Sequence, residues 1–178
     1  MTITKHIMDL SLMVAPSNFG IVVNYEELMR DYNKVKADKR FFMDKTAAKG
    51  MSVVTCNLPY SRYVSNIFQR MFDLPDNDGM SVFFNQPANT WLDYHRDGNP
   101  IQCSVNIMLD DVYDPVMFNI DNSSYSYSYK IALVDLQTLH GCATTSNRTI
   151  FRTTIRTKSF EECMECLQTE GWVRALFP

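Results

Sequence analysis

The stretch Met80-Ser-Val-Phe-Phe-Asn85, followed by a Gln-Pro-Ala-Asn turn and Thr90-Trp-Leu-Asp-Tyr-His-Arg-Asp97, marks a change from helical to strand patterns in this chain. Four further apolar or β-branched segments follow it, and turn residues separate them. They span residues 102–109, 116–120, 125–136 and 149–156. Short strands in such a series predict an all-β sandwich or barrel.

The residues before this stretch have helical patterns instead. Segments 25–32 and 60–72 carry apolar residues at helical spacing, and the Pro-Asp-Asn-Asp-Gly cluster at 75–79 ends the second helix. After the strands, Ser159-Phe-Glu-Glu162 has the capping-box pattern that opens a helix. We therefore predict one domain over residues 1–178, with supporting helices and strands in 1–79, a β core in 80–157 and a helix over 159–171.

The composition excludes several classes of protein. The net charge of −3 over 178 residues argues against a uniformly basic nucleic-acid binder. The cationic residues at positions 34, 36, 39 and 40 leave a local phosphate-binding surface, and hence nucleic acid, open. No apolar run approaches about 18 residues, so no membrane span is predicted. Five scattered cysteines and an N-terminus without a secretory pattern predict a reduced, cytoplasmic protein.

Two of the three histidines and one carboxylate form the most informative motif. His95-Arg96-Asp97 is followed 43 positions later by His140, just after the apolar run 131–136. Two imidazoles and one carboxylate are the ligand set that holds non-haem Fe(II) and leaves other coordination positions open. The alternative is a surface pair, His95 with Asp97, and a separate core histidine at His140.

Strand geometry predicts which side chains share the face of this motif. Side chains two residues apart in a strand point the same way, so His95 and Asp97 can converge on one ion. By the same alternation, Trp91 and Asp93 are predicted on that face and Tyr94 on the other. Trp91 is then either a substrate platform or a packing residue.

Three arginines follow the second histidine on one predicted strand face. Arg148, Arg152 and Arg156 lie 8, 12 and 16 residues after His140. Arginine suits an organic co-substrate because its planar fork grips a carboxylate with two hydrogen bonds. Arg152, with the hydroxyl of Thr154 beside it, is the first choice for that role. The alternative for each arginine is a place in a surface ladder on an edge strand.

In order and spacing, these motifs resemble the 2-oxoglutarate- and Fe(II)-dependent oxygenases over residues 80–156. The segment from 116 through His140-Gly-Cys to Arg148 looks most like the aspartyl/asparaginyl β-hydroxylase-like or prolyl-hydroxylase-like members. The resemblance implies a mainly β fold with flanking helices, a double-stranded β-helix or cupin-like jelly roll. It also implies Fe(II) bound by His95, Asp97 and His140.

The resemblance further implies a co-substrate and an activity. It implies that 2-oxoglutarate chelates the iron and that an arginine such as Arg152 or Arg148 holds its far carboxylate. Asn106 is either a hydrogen-bond partner of the co-substrate or a buried amide at the edge of the core. The implied enzyme uses O2 to hydroxylate a C–H bond of an amino acid, peptide, protein or other small substrate, and it releases succinate and CO2.

Two alternatives to the implied hydroxylase stay open. One is a non-catalytic jelly-roll binding module, and the other is a cupin-like metalloenzyme that does not use 2-oxoglutarate. A carboxylate at Asp97, where halogenating relatives carry a small residue, favours hydroxylation over halogenation. Nothing in the sequence names the substrate.

Overall fold

A computed structural model describes residues 6–10, 13–14, 23–38, 42–43, 52–111, 114–169 and 173–174. Its helices are α1 (Tyr25–Ala37), α2 (Pro59–Met71) and α3 (Phe160–Thr169). Its strands, in chain order, are β1 (Ile7–Asp9), β2 (Met13–Val14), β3 (Phe42–Met43), β4 (Ser52–Thr55), β5 (Ser81–Gln86), β6 (Trp91–His95), β7 (Cys103–Met108), β8 (Val116–Ile120), β9 (Ser123–Tyr127), β10 (Ile131–Asp135), β11 (His140–Ala143), β12 (Arg148–Ile155) and β13 (Val173–Arg174).

Two antiparallel sheets form the body of the protein. The larger sheet has the strand order β1-β10-β7-β12-β5-β4-β3, and the smaller has the order β6-β11-β8-β9. Apolar side chains from both sheets form one buried cluster, which includes Ile150 and Val134 from the larger sheet and Phe118 from the smaller. The predicted mainly β jelly roll with flanking helices is thereby confirmed. None of the described helices combines the length and apolarity needed to cross a bilayer.

The larger sheet has a hydrophobic cluster on each of its two faces, and strand β12 contributes side chains to both. Ile150 packs in the cluster between the sheets, whereas Phe151 packs with Phe68 of α2 in the cluster on the other face of the larger sheet. Side chains alternate along a strand, so even-numbered residues of β12 face the space between the sheets. Arg148 and Arg152 therefore both project into that space.

The helix boundaries follow from local hydrogen bonds. The side chain of Asn24 accepts hydrogen bonds from the first turn of α1. The carboxylate of Asp31 in α1 accepts from the backbone N–H and hydroxyl of Ser61 at the start of α2, at 2.9 and 2.8 Å. The predicted capping box before α3 is confirmed, because Ser159 and Glu162 exchange both of its hydrogen bonds. Position 171, the predicted end of that helix, lies outside the described residues.

The strands differ from the prediction in two places. The segment 125–136 was predicted as one strand, but it forms β9 and β10, with residues 128–130 between them. Strands β1, β3 and β4, from the first 79 residues, also extend the larger sheet on both sides. The sequence Asp121-Asn-Ser-Ser124 predicts a hairpin turn after β8, and Asp121 and Asn122 have φ values of 51° and 61° there. Positive φ at both central residues is the geometry of a two-residue hairpin turn.

Candidate metal centre

The smaller sheet brings the two histidines together. His95 is the last residue of β6 and pairs in the ladder with His140, the first residue of β11. Asp97 follows two residues beyond β6, and its Oδ1 lies 3.3 Å from Nε2 of His95 and 3.8 Å from Nε2 of His140. The ligand atoms all lie within 4.8 Å of one another, and no other such group occurs among the described residues.

Backbone carbonyls fix the orientation of both imidazoles. Nδ1 of His95 lies 2.8 Å from the carbonyl of Asp93, and Nδ1 of His140 lies 2.8 Å from the carbonyl of Thr138. A carbonyl oxygen only accepts, so each Nδ1 carries a proton, and Nε2 has a lone pair for a metal whenever the ring is neutral. This is the arrangement by which proteins orient histidine ligands toward a metal.

The unpaired nitrogen of His140 is the observation that fits a metal ion best. Its Nε2 is buried and has no hydrogen-bond partner among the described residues. A buried polar atom without a partner costs free energy, and an ion bonded to this nitrogen would offset that cost. Two neutral imidazole nitrogens and one carboxylate oxygen suit Fe(II) with open positions.

The pKa values of the three side chains are shifted from their ordinary values in different directions. Burial raises the pKa of Asp97, but the hydrogen bond with His95 and the charge of Arg152 outweigh it and lower that pKa to about 2. Burial lowers the pKa of His140 to about 4. The hydrogen bond to Asp97 raises the pKa of His95 above its usual value. At neutral pH, Asp97 is therefore ionised and His140 is neutral, as metal ligands must be.

The depressed pKa of His140 predicts acid sensitivity of the metal-free protein. Between pH 6.5 and about pH 4 the unfolded chain protonates this histidine and the folded chain does not, so acid favours unfolding. We expect a loss of roughly 3 kcal/mol in the free energy of unfolding over this interval. His95, whose pKa is raised, contributes stability that is complete below pH 6.5 and is lost only at higher pH.

Urea denaturation in the presence of a chelator, at pH 7 and at about pH 4.5, measures this loss. His140→Gln removes the titrating group, and we expect the loss to shrink in that variant. An equal loss in the variant would show that another group is responsible.

Arg152 lies against the candidate metal ligands. Its Nη1 donates to Oδ2 of Asp97 at 2.9 Å, and its Nε donates to Oδ1 of Asn106 at 3.1 Å. Its guanidinium also lies 4.4 Å from the ring centroid of Phe84. Asp97 therefore presents one oxygen to the histidines and the other to an arginine.

A chain of hydrogen bonds leads from Arg152 to a second, deeper arginine. Asn106 donates through Nδ2 to the hydroxyl of Tyr129 at 3.1 Å, and Arg148 donates through Nη2 to the same hydroxyl at 3.4 Å. Because the hydroxyl oxygen of Tyr129 already accepts two hydrogen bonds, its own proton is free to be donated to a ligand. Arg148 is only 5% exposed, and its Nε has no hydrogen-bond partner in the described part of the chain.

A narrow cavity of about 30 Å³ extends from His140 to Arg148 and Tyr129, between the two sheets. Asn106 and Arg152 also line it. This space has room for about one or two water molecules, so an organic ligand would have to displace some of the side chains that line it. The cavity therefore joins the candidate metal ligands to a buried cation and a free hydroxyl donor.

The other two predicted residues on this face of β12 lie apart from the cavity lining. The hydroxyl of Thr154 donates to the carbonyl of Met80 at 3.1 Å. Arg156 follows the end of β12, and its Nη2 contacts the sulfur of Met80 at 3.5 Å. Of the four residues predicted for the co-substrate, Arg148, Arg152 and Asn106 line the cavity, and Thr154 does not.

The predicted face of Trp91 is wrong. Leu92 lines the cavity, whereas Trp91 is 57% exposed and pairs with Ala143 at the outer end of β6. The ladder is irregular between the pairs of Leu92 and His95, so the simple alternation along β6 breaks before it reaches His95. Trp91 therefore does not share the face of His95.

Sequence reasoning also missed Tyr129. It is 4% exposed and is the last tyrosine of the alternating Ser-Tyr run. That run predicts a strand with its tyrosines on one face, and Tyr127 packs against the same cluster as Tyr129. The alternation therefore indicates an inward Tyr129, but it does not indicate that its hydroxyl lies beside Arg148.

Comparison with known proteins supports the fold. No protein-family model and no curated protein sequence matches the chain. Among solved structures, the chain is similar to a prolyl-4-hydroxylase from Pseudomonas putida, with a TM-score of 0.55, 12% identity, and coverage of 75% of this chain and 86% of that one. It is also similar to a 2OG-Fe(II) oxygenase family oxidoreductase from Burkholderia pseudomallei, with a TM-score of 0.51, 13% identity, and coverage of 84% and 86%. This chain therefore has the double-stranded β-helix fold of the 2-oxoglutarate–Fe(II) oxygenases.

Proposed function

We propose that this protein is an Fe(II)- and 2-oxoglutarate-dependent dioxygenase that hydroxylates a C–H bond of its substrate. The observation that carries the proposal is the convergence of two imidazole Nε2 atoms and one carboxylate oxygen, one of those nitrogens being buried without a partner. In this assignment His95, Asp97 and His140 hold the iron. Iron, 2-oxoglutarate and O2 together would supply the oxidising chemistry, with release of succinate and CO2.

The contacts of the two arginines favour different roles for them. Arg152 already neutralises Asp97 and is held by Asn106, so it fixes the orientation of a ligand carboxylate. Arg148 has no ion pair among the described residues, although a buried cation is costly without an anion. We assign the far carboxylate of 2-oxoglutarate to Arg148, with the free proton of Tyr129 as a second donor.

This assignment leaves one hydroxyl and one arginine outside the co-substrate site. Thr154 donates to a backbone carbonyl, and Arg156 lies beyond the end of β12. The ordering of the arginines thus differs from the sequence-based choice of Arg152. The change follows from the hydrogen bond between Arg152 and Asp97. Residue spacing along one strand cannot predict such a contact with a residue of another segment.

The substrate class in this proposal is an amino acid, a peptide, an exposed protein residue or another small molecule. Lys34 and Lys36 lie on α1, in the layer that packs on the other face of the larger sheet from the cavity. A phosphate bound by Lys34 and Lys36 would therefore lie on the other side of the larger sheet from the candidate metal centre.

Anaerobic titration with Fe(II) and then 2-oxoglutarate tests the proposal. We expect a weak visible charge-transfer band when both are present, and iron-dependent conversion of 2-oxoglutarate to succinate when O2 is admitted. Metal-dependent activity without the keto acid would instead indicate a cupin-like metalloenzyme. Failure of the purified protein to bind metal would indicate a non-catalytic binding module.

A further inference from the structure

Strand β6 contains one residue more than β11 between two aligned pairs. Leu92 pairs with Cys142, and His95 pairs with His140. Two residues of β6, Asp93 and Tyr94, therefore lie opposite the single residue Gly141. This is a β-bulge, which inserts an extra residue and turns the following side chains to the other face.

The bulge decides which side chain lies opposite His140. In an uninterrupted ladder Gly141 would pair with Asp93, and His140 would pair with Tyr94. A shift of one residue moves every side chain to the opposite face, so His95 would then point away from the cavity. The bulge also supplies the Asp93 carbonyl that holds Nδ1 of His95.

Gly141 provides the space in which the bulge lies. A Cβ built at this position would be 2.7 Å from the carbonyl oxygen of Leu92 and 3.3 Å from backbone atoms of Asp93 and Tyr94. Contacts of a Cβ below 3.0 Å are essentially never observed. Because the opposing atoms are backbone, they cannot be relieved by a side-chain rotation. Any side chain at position 141 must displace β6 from β11.

We propose that Gly141 is a positioning residue of the metal centre. Its missing side chain admits the bulge at Asp93 and Tyr94, and the bulge aligns His95 with His140. The inference rests on the proposed function, because it concerns the same three ligands. It adds a residue that contacts neither metal nor substrate and yet sets the distance between two ligands.

Metal affinity tests the role of Gly141 directly. We expect Gly141→Ala to weaken Fe(II) binding by about 10- to 100-fold, the usual effect of disturbing the residues that orient metal ligands. Anaerobic competition with a chromophoric chelator measures it. Gly98→Ala is the matched control, since it lies beside Asp97 and a Cβ there meets nothing within 4 Å. We expect its affinity and thermal stability to equal those of the unmodified protein.

A second variant separates positioning from general damage. Deleting Asp93 removes the extra residue and leaves His95 in register with His140, so β6 no longer needs the space over position 141. Because the deletion also removes the carbonyl that holds Nδ1 of His95, the effect of Gly141→Ala is measured within the deletion background. There we expect Gly141→Ala to lower Fe(II) affinity by no more than a few-fold. The deletion should also restore folding if Gly141→Ala alone fails to fold.

The outcomes distinguish the two proposals. Absence of Fe(II) binding in the unmodified protein overturns both the proposed function and the role of Gly141. Fe(II) binding that is equal in the unmodified protein and Gly141→Ala overturns the role of Gly141 alone. A loss on Gly141→Ala that is equally large in the Asp93-deletion background also overturns it, because the damage would not then come from the bulge.

Discussion

Replacing His140 with alanine is expected to abolish iron-dependent turnover of 2-oxoglutarate while the metal-free protein remains folded. In the proposed site the imidazole supplies one of three ligand atoms, so its loss should lower Fe(II) affinity by more than about 100-fold, beyond the effect of disturbing orienting residues. In the absence of metal its Nε2 has no hydrogen-bond partner among the described residues. The apoprotein therefore loses only ring packing against His95 and Phe118 and the Nδ1 hydrogen bond, about 1–3 kcal/mol.

The third histidine provides the control for this variant. Nδ1 of His6 lies 3.0 Å from Oδ2 of Asp135 and 2.9 Å from the hydroxyl of Thr138, and His6 is not one of the three proposed ligands. We expect His6→Ala to retain Fe(II) affinity and succinate formation within a few-fold of the unmodified protein. Succinate formation and chelator competition are measured on both variants. Full activity in His140→Ala would remove this residue from the ligand set.

Local patterns predicted the parts of the fold that depend on local chemistry. The strand at 116–120, the hairpin turn after it and the capping box before α3 each follow from residues that are adjacent in sequence. The HxD motif and the distal His140 also indicated the three side chains that the structure brings together, because few residue types can hold an open Fe(II) site. The strand, turn and capping patterns depend only on neighbouring residues, and the metal-binding motif allows few residue types. A single sequence is therefore enough to recognise them.

Local sequence patterns could not predict features that depend on contacts with a neighbouring strand. Alternation placed Trp91 beside His95 because the bulge depends on the space over Gly141, a residue 47 positions after Tyr94. Alternation also placed three arginines on one face without ranking them. The contact of Arg152 with Asp97, which Arg148 lacks, is what distinguishes their proposed roles.

That distinction predicts different kinetic effects for the two arginines. Arg148→Gln removes the buried cation from the deep end of the cavity, and we expect KM for 2-oxoglutarate to rise by about 30-fold or more, as for loss of one member of a buried charge pair. Fe(II) affinity without 2-oxoglutarate should stay within a few-fold. Arg152→Gln should instead weaken Fe(II) by about 10- to 100-fold, because Asp97 loses the group that orients it. Chelator competition and steady-state kinetics at saturating iron measure the two effects.

Variants of Tyr129 and Arg156 provide a smaller expected effect and a control for this comparison. Tyr129→Phe removes one hydroxyl donor and should raise KM for 2-oxoglutarate by only a few-fold, in keeping with about 1 kcal/mol for a single hydrogen bond. Arg156→Gln is the matched control, because this arginine lies outside the cavity lining and its Nη2 contacts Met80; its KM for 2-oxoglutarate should be unchanged. If Arg152→Gln raised that KM more than Arg148→Gln did and left Fe(II) affinity intact, the two arginines would have to exchange roles. The bond between Arg152 and Asp97 would then be a feature of the metal-free protein that the co-substrate replaces.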